Sequence, residues 1–170
     1  MHVNRSHHNT RGHCRTVLEI LKATIINLAS SVPAPPYFVN AAAKSGLQGI
    51  ISKALSEGAS SLVGDIEQLQ SREGDGATPV IFAPMIIGDI QDEMALWQDE
   101  NFGPVAAYRI AKSDEEAIAI ANNTEFGLAA AVFTQDLRKG FAIAKQLEAG
   151  AVHINSMSVR DEPALPMGGM

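Results

Sequence analysis

From Val105 onward the sequence alternates between two periodicities, and that alternation restricts the fold more than any other feature of the chain. Residues 105–110 carry the short apolar run of a strand. Ser113-Asp114-Glu115-Glu116 then reads as a capping box, in which a serine oxygen takes a first-turn amide hydrogen and an acid three residues on reaches back. The helix it opens carries Ala117, Ile118, Ile120 and Ala121. Residues 128–134 are a nearly continuous run of small apolar side chains, which predicts a strand covered on both faces. A helix is predicted over 136–148, with Leu137, Phe141, Ala144 and Leu147 on one side and Gly150 at its end, and a strand over 151–155. Strands joined by helical connections of this length pair in parallel with right-handed crossovers. The expected fold class is therefore α/β, a parallel β-sheet with flanking helices.

The first half is less regular. Residues 15–30 place Val17, Leu18, Leu21, Ile25 and Leu28 at three- and four-residue steps, which predicts an amphipathic helix stopped by Pro33, Pro35 and Pro36. Asn40 suits the cap of a second helix with Leu47, Ile50, Ile51, Ala54 and Leu55 on one face and Gly58 just past its end. Ser61-Leu62-Val63 reads as a strand, 65–78 as a surface loop, and Pro79-Val80-Ile81-Phe82 as a second strand closed by Pro84. A short helix over 92–97 leads into the centre of the chain. At the start, Met1-His2-Val3-Asn4 reads as the remnant of a strand. His2, His7, His8, His13 and Cys14 are metal-ligand types, but their spacing matches no standard zinc pattern and no metal site is expected.

Composition narrows the classes. A chain of 170 residues, 46% hydrophobic and 19% charged, can fold around one core but not two well-developed ones. The net charge of −6 with scattered basic residues argues against nucleic acid as a partner. No apolar run approaches the roughly 18 residues needed to span a bilayer, and the polar, His-rich start is not a secretory signal. Cys14 is the sole cysteine, which rules out an intramolecular disulfide and fits a reducing, cytoplasmic setting. Asn4-Arg5-Ser6 and Asn122-Asn123-Thr124 match the glycosylation pattern, and without a secretion route both are read as chance.

Chemistry concentrates at Asp99-Glu100-Asn101-Phe102-Gly103-Pro104-Val105. A carboxylate accepts hydrogen bonds from two adjacent sugar hydroxyls, a phenyl ring lies against a flat heterocycle, and glycine lets backbone approach a ligand. The same residues also suit the end of a helix and the start of a strand on a solvated surface. Elsewhere the bland readings stand. Asp161 and Glu162 are turn carboxylates, His153 a hydrogen-bonded core histidine, Trp97 and Phe141 apolar anchors, and Asp114-Glu115-Glu116 a helix start favoured by the dipole.

Taken together, these segments resemble the aldehyde dehydrogenase superfamily, in the part of its catalytic domain that follows the nucleophilic cysteine. Glu100-Asn101-Phe102-Gly103-Pro104-Val105 is similar to the family's Glu-x-Phe-Gly-Pro-Val motif. Asn122-Asn123-Thr124-Glu125-Phe126-Gly127-Leu128 is similar to its Asn-x-(Thr/Ser)-x-(Tyr/Phe)-Gly-Leu segment, and Glu148-Ala149-Gly150-Ala151-Val152-His153-Ile154-Asn155 and Pro166-Met167-Gly168-Gly169 to the next landmarks in order. The resemblance covers about residues 39–170, a partial catalytic domain, with 1–38 an irregular lead containing one helix.

The resemblance implies oxidation of an aldehyde to an acid through a thiohemiacetal and hydride transfer to NAD or NADP. It implies that Glu100 holds the ribose hydroxyls of the nicotinamide half of the cofactor and that Phe102 lies near the nicotinamide. It also implies that Asn155 and Met167 border the substrate pocket, Met167 standing where phenylalanine is usual. Ser158-Val159-Arg160-Asp161-Glu162-Pro163 is similar to the Asp-Glu-Pro of members acting on aromatic aldehydes such as benzaldehyde, vanillin or salicylaldehyde. The family's nucleophile, general base, oxyanion-hole asparagine and dinucleotide-binding domain would precede Met1, and its final strand would follow Met170. Cys14, between His13 and Arg15, lacks the nucleophile's context, so no catalytic residue is expected here. The expected partners are a small-molecule aldehyde and other dehydrogenase subunits, as a homo-oligomer or in association. The rival reading is a non-catalytic α/β interaction module that binds such subunits or another partner.

Overall fold

The computed structural model describes residues 10–31, 38–66, 82–159, 164 and 167–169. It divides into two compact units, one of Arg15–Arg109 and one of Ile110–Met170 with Met1–Cys14.

Helix α1 (Thr10–Ser31) starts five residues before the expected 15–30, so Cys14 lies within it. Val17, Leu18, Leu21 and Ile25 of the predicted face are half-buried, while Leu28 is exposed. Pro33, Pro35 and Pro36 lie outside the described residues. Helix α2 (Ala41–Ser56) follows the sequence closely. The Asn40 side chain accepts the Ala43 amide hydrogen at 2.8 Å, as an N-cap should. Leu47, Ile51 and Ala54 are buried along one face. Beyond the helix end, Gly58 turns the chain with φ +108°, a conformation that side chains with a Cβ disfavour. Burying each leucine or isoleucine of that face contributes about 1.5–3 kcal/mol.

Strands β1 (Ser60–Val63), β2 (Met85–Gly88) and β3 (Val105–Ala107) form one sheet in that order. β1 runs antiparallel to β2, with a register irregularity between Ser61 and Val63, and β2 runs parallel to β3. The antiparallel strand is an addition to the parallel sheet expected. β2, wholly buried at the centre, is a strand that the sequence reading did not anticipate. The strand expected over 79–82 falls almost wholly on residues that the structure does not describe. Residues 79–81 lie outside the described residues, and Phe82 is a non-strand residue at the heart of the core. Proline lacks an amide hydrogen, so pairing begins after it, where Met85 N–H donates to the Pro104 carbonyl at 2.9 Å. An apolar Met85-Ile86-Ile87 run bounded by Pro84 and Gly88 was the available signal. Phe82, Met85, Ile87, Ile90, Met94 and Leu96 pack with the buried face of α2 as a single core.

Helix α3 (Ala95–Gln98) is shorter than the predicted 92–97 and has no side-chain cap. Asp92, where the predicted helix began, is engaged elsewhere. Its carboxylate pairs with Arg109 and its carbonyl accepts from Gln98 Nε2 at 2.7 Å.

In the second unit, helix α4 (Asp114–Asn122) begins at the predicted cap, with Glu116 N–H donating to Ser113 Oγ at 3.2 Å. Glu116 reaches back to the Lys112 amide at 2.6 Å rather than to that of Ser113. Strands β4 (Ala129–Val132) and β5 (Ala151–Ile154) pair in parallel from Ala129↔Ala151 to Val132↔Ile154, with α5 (Leu137–Ala144) as the crossover. The parallel pairing is thus split, with β3 on β2 and β4 on β5.

Two expectations fail in this unit. No residue of β4 is buried, although its small apolar run suggested a strand covered on both faces. The predicted 136–148 helix ends at Ala144 because Asn122 takes over the chain beyond it: Nδ2 donates to the Gln146 carbonyl at 2.8 Å and Oδ1 accepts the Glu148 amide at 3.0 Å. Phe141, read as a core or interface anchor, is 60% exposed on α5, which excludes the core alternative. Among the described residues no helix is long and apolar enough to cross a membrane.

Candidate functional site

The stretch from Asp99 to Val105 joins α3 to β3 and is pinned on alternate residues. The Asp99 amide closes α3 on the Ala95 carbonyl at 2.9 Å. Asn101 turns inward, its Nδ2 donating to the carbonyls of Asp99 at 2.7 Å and Leu96 at 3.3 Å. At Gly103 the backbone lies against α2 and its flank, where an added Cβ would sit 2.5 Å from Leu47 Cδ2 and 2.7 Å from Phe38 Cζ. Only a residue without a side chain lets the loop lie this close. With Asn101 tied to backbone carbonyls and Gly103 close against Leu47 and Phe38, Glu100 and Phe102 are exposed, Phe102 by 80%. The base of the loop is braced by Arg109, which pairs with Asp92 and stacks 5.3 Å from the Trp97 ring centroid.

Asn155 and Met167 belong to the other unit. Asn155 follows β5 with φ +56°, a left-handed conformation that asparagine tolerates better than most residues. Its amide donates to the Val132 carbonyl at 2.8 Å and its Oδ1 accepts the Thr134 amide at 2.8 Å. The side chain therefore latches the C-terminal ends of the parallel strands together, the edge at which open α/β sheets take ligands. Met167 is exposed, and residues 160–163 and 165–166 lie outside the described residues. Asn155→Ala is expected to lose about 1–2 kcal/mol, from the unpaired amide and the left-handed backbone, and to speed hydrogen exchange at Thr134. Asn155→Asp keeps the acceptor and should leave Thr134 protected.

Other interactions were not anticipated from sequence. The two-ended use of Asn122 brackets the crossover at its other end, and consumes the carboxamide of the Asn122-Asn123-Thr124 tripeptide. Lys139 of α5 reaches Asp114 of α4 at 2.6 Å. Beyond β2, Asp89 takes φ +56° and accepts Ser60 Oγ–H at 2.5 Å. Burial, and secondarily the Asp89 charge, push the Tyr108 phenol above its usual 10.0. No metal-binding cluster of three or more His, Cys, Asp or Glu occurs among the described residues.

These elements define an α/β chain in which parallel strand pairs alternate with helices. The model of the aldehyde dehydrogenase family matches residues 31–170, and the chain belongs to that family. It is 35% identical over 132 residues to vanillin dehydrogenase of Pseudomonas sp. (strain HR199 / DSM 7063), covering 78% of this chain and 25% of that protein. Among solved structures it is similar to a salicylaldehyde dehydrogenase from Pseudomonas putida G7 complexed with salicylaldehyde, with TM-score 0.69 and 27% identity over 79% of this chain and 26% of that one. It is also similar to succinic semialdehyde dehydrogenase from Streptococcus pyogenes in complex with NADP+, with TM-score 0.77 and 26% identity over 94% and 34% of the two chains. The chain thus spans between a quarter and about a third of the length of these relatives.

Proposed function

We propose that this chain serves as the C-terminal segment of the catalytic domain of an NAD(P)-dependent aldehyde dehydrogenase acting on an aromatic aldehyde, and that it does not turn over aldehyde alone. One observation carries the reading: Glu100 and Phe102 are both exposed on a loop in which Asn101 is hydrogen-bonded to the carbonyls of Asp99 and Leu96 and Gly103 lies close to Leu47 and Phe38. An exposed carboxylate and an exposed ring on a braced loop fit the nicotinamide riboside end of the cofactor. Glu100 accepts from the two ribose hydroxyls, and Phe102 covers one face of the heterocycle and excludes water from it. The cofactor, when bound, supplies the hydride acceptor. Asn155 holds the strand ends that border the substrate side. In this reading the chain's own residues bind and orient the cofactor and the aldehyde.

Saturation-transfer NMR on the 170-residue chain with NAD+ tests this. The nicotinamide and its ribose protons are expected to be saturated more strongly than the adenine protons, at a dissociation constant on the order of 1 mM. Glu100→Ala should abolish the ribose signal. Adenine-dominated saturation, or signals unchanged in Glu100→Ala, would sink the assignment. Benzaldehyde with NAD+ should give no NADH.

The interaction-module reading keeps one observation in its favour. Phe126, Phe133, Leu137 and Phe141 are all about half or more exposed in the second unit, more apolar surface than a small free-standing unit normally presents. Association with other dehydrogenase subunits, in a reducing cytoplasmic setting, is part of the same proposal.

A further inference from the structure

The loop that carries Glu100 and Phe102 is fixed at its two ends by backbone hydrogen bonds. Asp99 N–H donates to the Ala95 carbonyl at 2.9 Å, and Val105 N–H to the Gly103 carbonyl at 2.8 Å. Between those points no backbone group of Glu100, Asn101 or Phe102 is hydrogen-bonded to backbone among the described residues. The Asn101 carboxamide ties this stretch down instead. Its Nδ2 donates to the Asp99 carbonyl at 2.7 Å, two residues back, and to the Leu96 carbonyl at 3.3 Å, five residues back. Leu96 belongs to α3, whose last carbonyls have no partner within the helix, and its side chain lies in the core cluster. The second bond therefore references the loop to the core.

Closing the end of α3 is the simpler role for such a side chain, and one atom argues against it as the whole account. Asn101 Oδ1 is buried and has no hydrogen-bond partner among the described residues. A buried acceptor left unpaired costs stability, so stability alone does not favour a carboxamide here. Side chains that break a local rule in this way gather at functional sites. We propose that Asn101 is a positioning residue for the cofactor: its carboxamide fixes the two neighbours, Glu100 and Phe102, in the relation that the nicotinamide riboside requires. The proposal rests on the cofactor reading of those two residues. The carboxylate has to meet two ribose hydroxyls while the ring lies against the heterocycle. A loop free to move would have to be ordered at the moment of binding, and affinity would fall.

The test combines ¹⁵N relaxation on the full chain with titration by NAD+. In the unmodified chain the amides of Glu100 and Phe102 should show order parameters near about 0.85. Asn101→Leu keeps the bulk and loses the donors, and Asn101→Ala loses both. Either should drop those order parameters below about 0.6 and raise the NAD+ dissociation constant roughly tenfold, at an unchanged urea midpoint. Asn101→Gln, which keeps the donors, should restore order and affinity together. In a Glu100→Ala background Asn101→Leu should weaken NAD+ binding much less, because the residue it acts through is gone. Order parameters that stay high in both donor-free variants would overturn the proposal, with or without a lower urea midpoint. So would a loosened loop at unchanged NAD+ affinity, no recovery with glutamine, or an equal effect in the Glu100→Ala background. These results would leave the cofactor reading standing, whereas Glu100→Ala binding NAD+ as tightly as the unmodified chain would remove both.

Discussion

Phe82→Ala is expected to lower the free energy of unfolding by about 3–5 kcal/mol, the largest effect of any single substitution considered. Phe82 is 0% exposed, and its ring meets that of Phe38 at 5.2 Å between centroids, tilted by 59°. It shares a cluster with Ile51, Met85, Ile87 and Leu96, so truncation leaves a cavity bounded by a helix and a central strand that cannot both close on it. Against a total stability of about 5–15 kcal/mol, such a loss leaves a marginal fold. Urea denaturation should show a lower midpoint at an unchanged slope. Phe141→Ala, on the exposed face of α5, should cost less than about 0.5 kcal/mol. Equal costs for the two would mean that the core has been located wrongly.

Gly88→Ala is expected to cost about 1–3 kcal/mol by overpacking. An added Cβ would lie 2.5 Å from Tyr108 Cζ and Oη and 2.7 Å from Cε1. These are atoms of a rigid ring whose backbone is held by a hydrogen bond from Tyr108 N–H to the Ile87 carbonyl at 3.0 Å. The ring must swing outward, and a second readout follows. Tyr108 titrates above 10.0 because burial, and then Asp89, disfavour the phenolate. Moved into water, the phenol should titrate closer to its ordinary value, which phenolate absorbance will register. The sign of the linked stability is set by the same shift. A raised pKa means that the folded state holds its proton more tightly, so this contribution is complete below 10.0 and is lost as pH rises through the folded value. The wild-type chain should therefore lose stability above that pH more steeply than Gly88→Ala. Parallel pH profiles would mean that the ring does not respond to the substitution.

Local chemistry was legible wherever it closes within a few residues. The caps at Asn40 and Ser113 hold the amides that the sequence says they should, because a cap needs only its own first turn. The loop from Asp99 to Val105 was recognisable as a site candidate for the same reason, since acid, ring and glycine are neighbours in the chain. Periodicity gave the parallel β4–β5 crossover, because a helical connection leaves no antiparallel alternative.

What remained hidden depends on residues far apart in sequence. Asn122 ends α5 early through bonds to residues 24 and 26 positions away, and no helix signal near 144 announces it. Asp92, the first residue of the predicted 92–97 helix, lies outside the helix that forms, and its carboxylate pairs with Arg109, 17 residues on. The burial of β4 was misjudged because an apolar run states what a strand can bury and not whether a neighbour is there to cover it.

The sequence by itself determined the family, the parallel α/β class and the identity of Glu100, Phe102 and Asn155 as residues to watch. All of these rest on short-range pattern. The tertiary structure alone decided that Glu100 and Phe102 are exposed while Asn101 and Gly103 are pinned, that Asn155 latches two strand ends, and that Asn122 closes α5 early. Those outcomes depend on which distant groups meet, and hydrogen bonds and steric contacts are made between places in space, not positions in a chain.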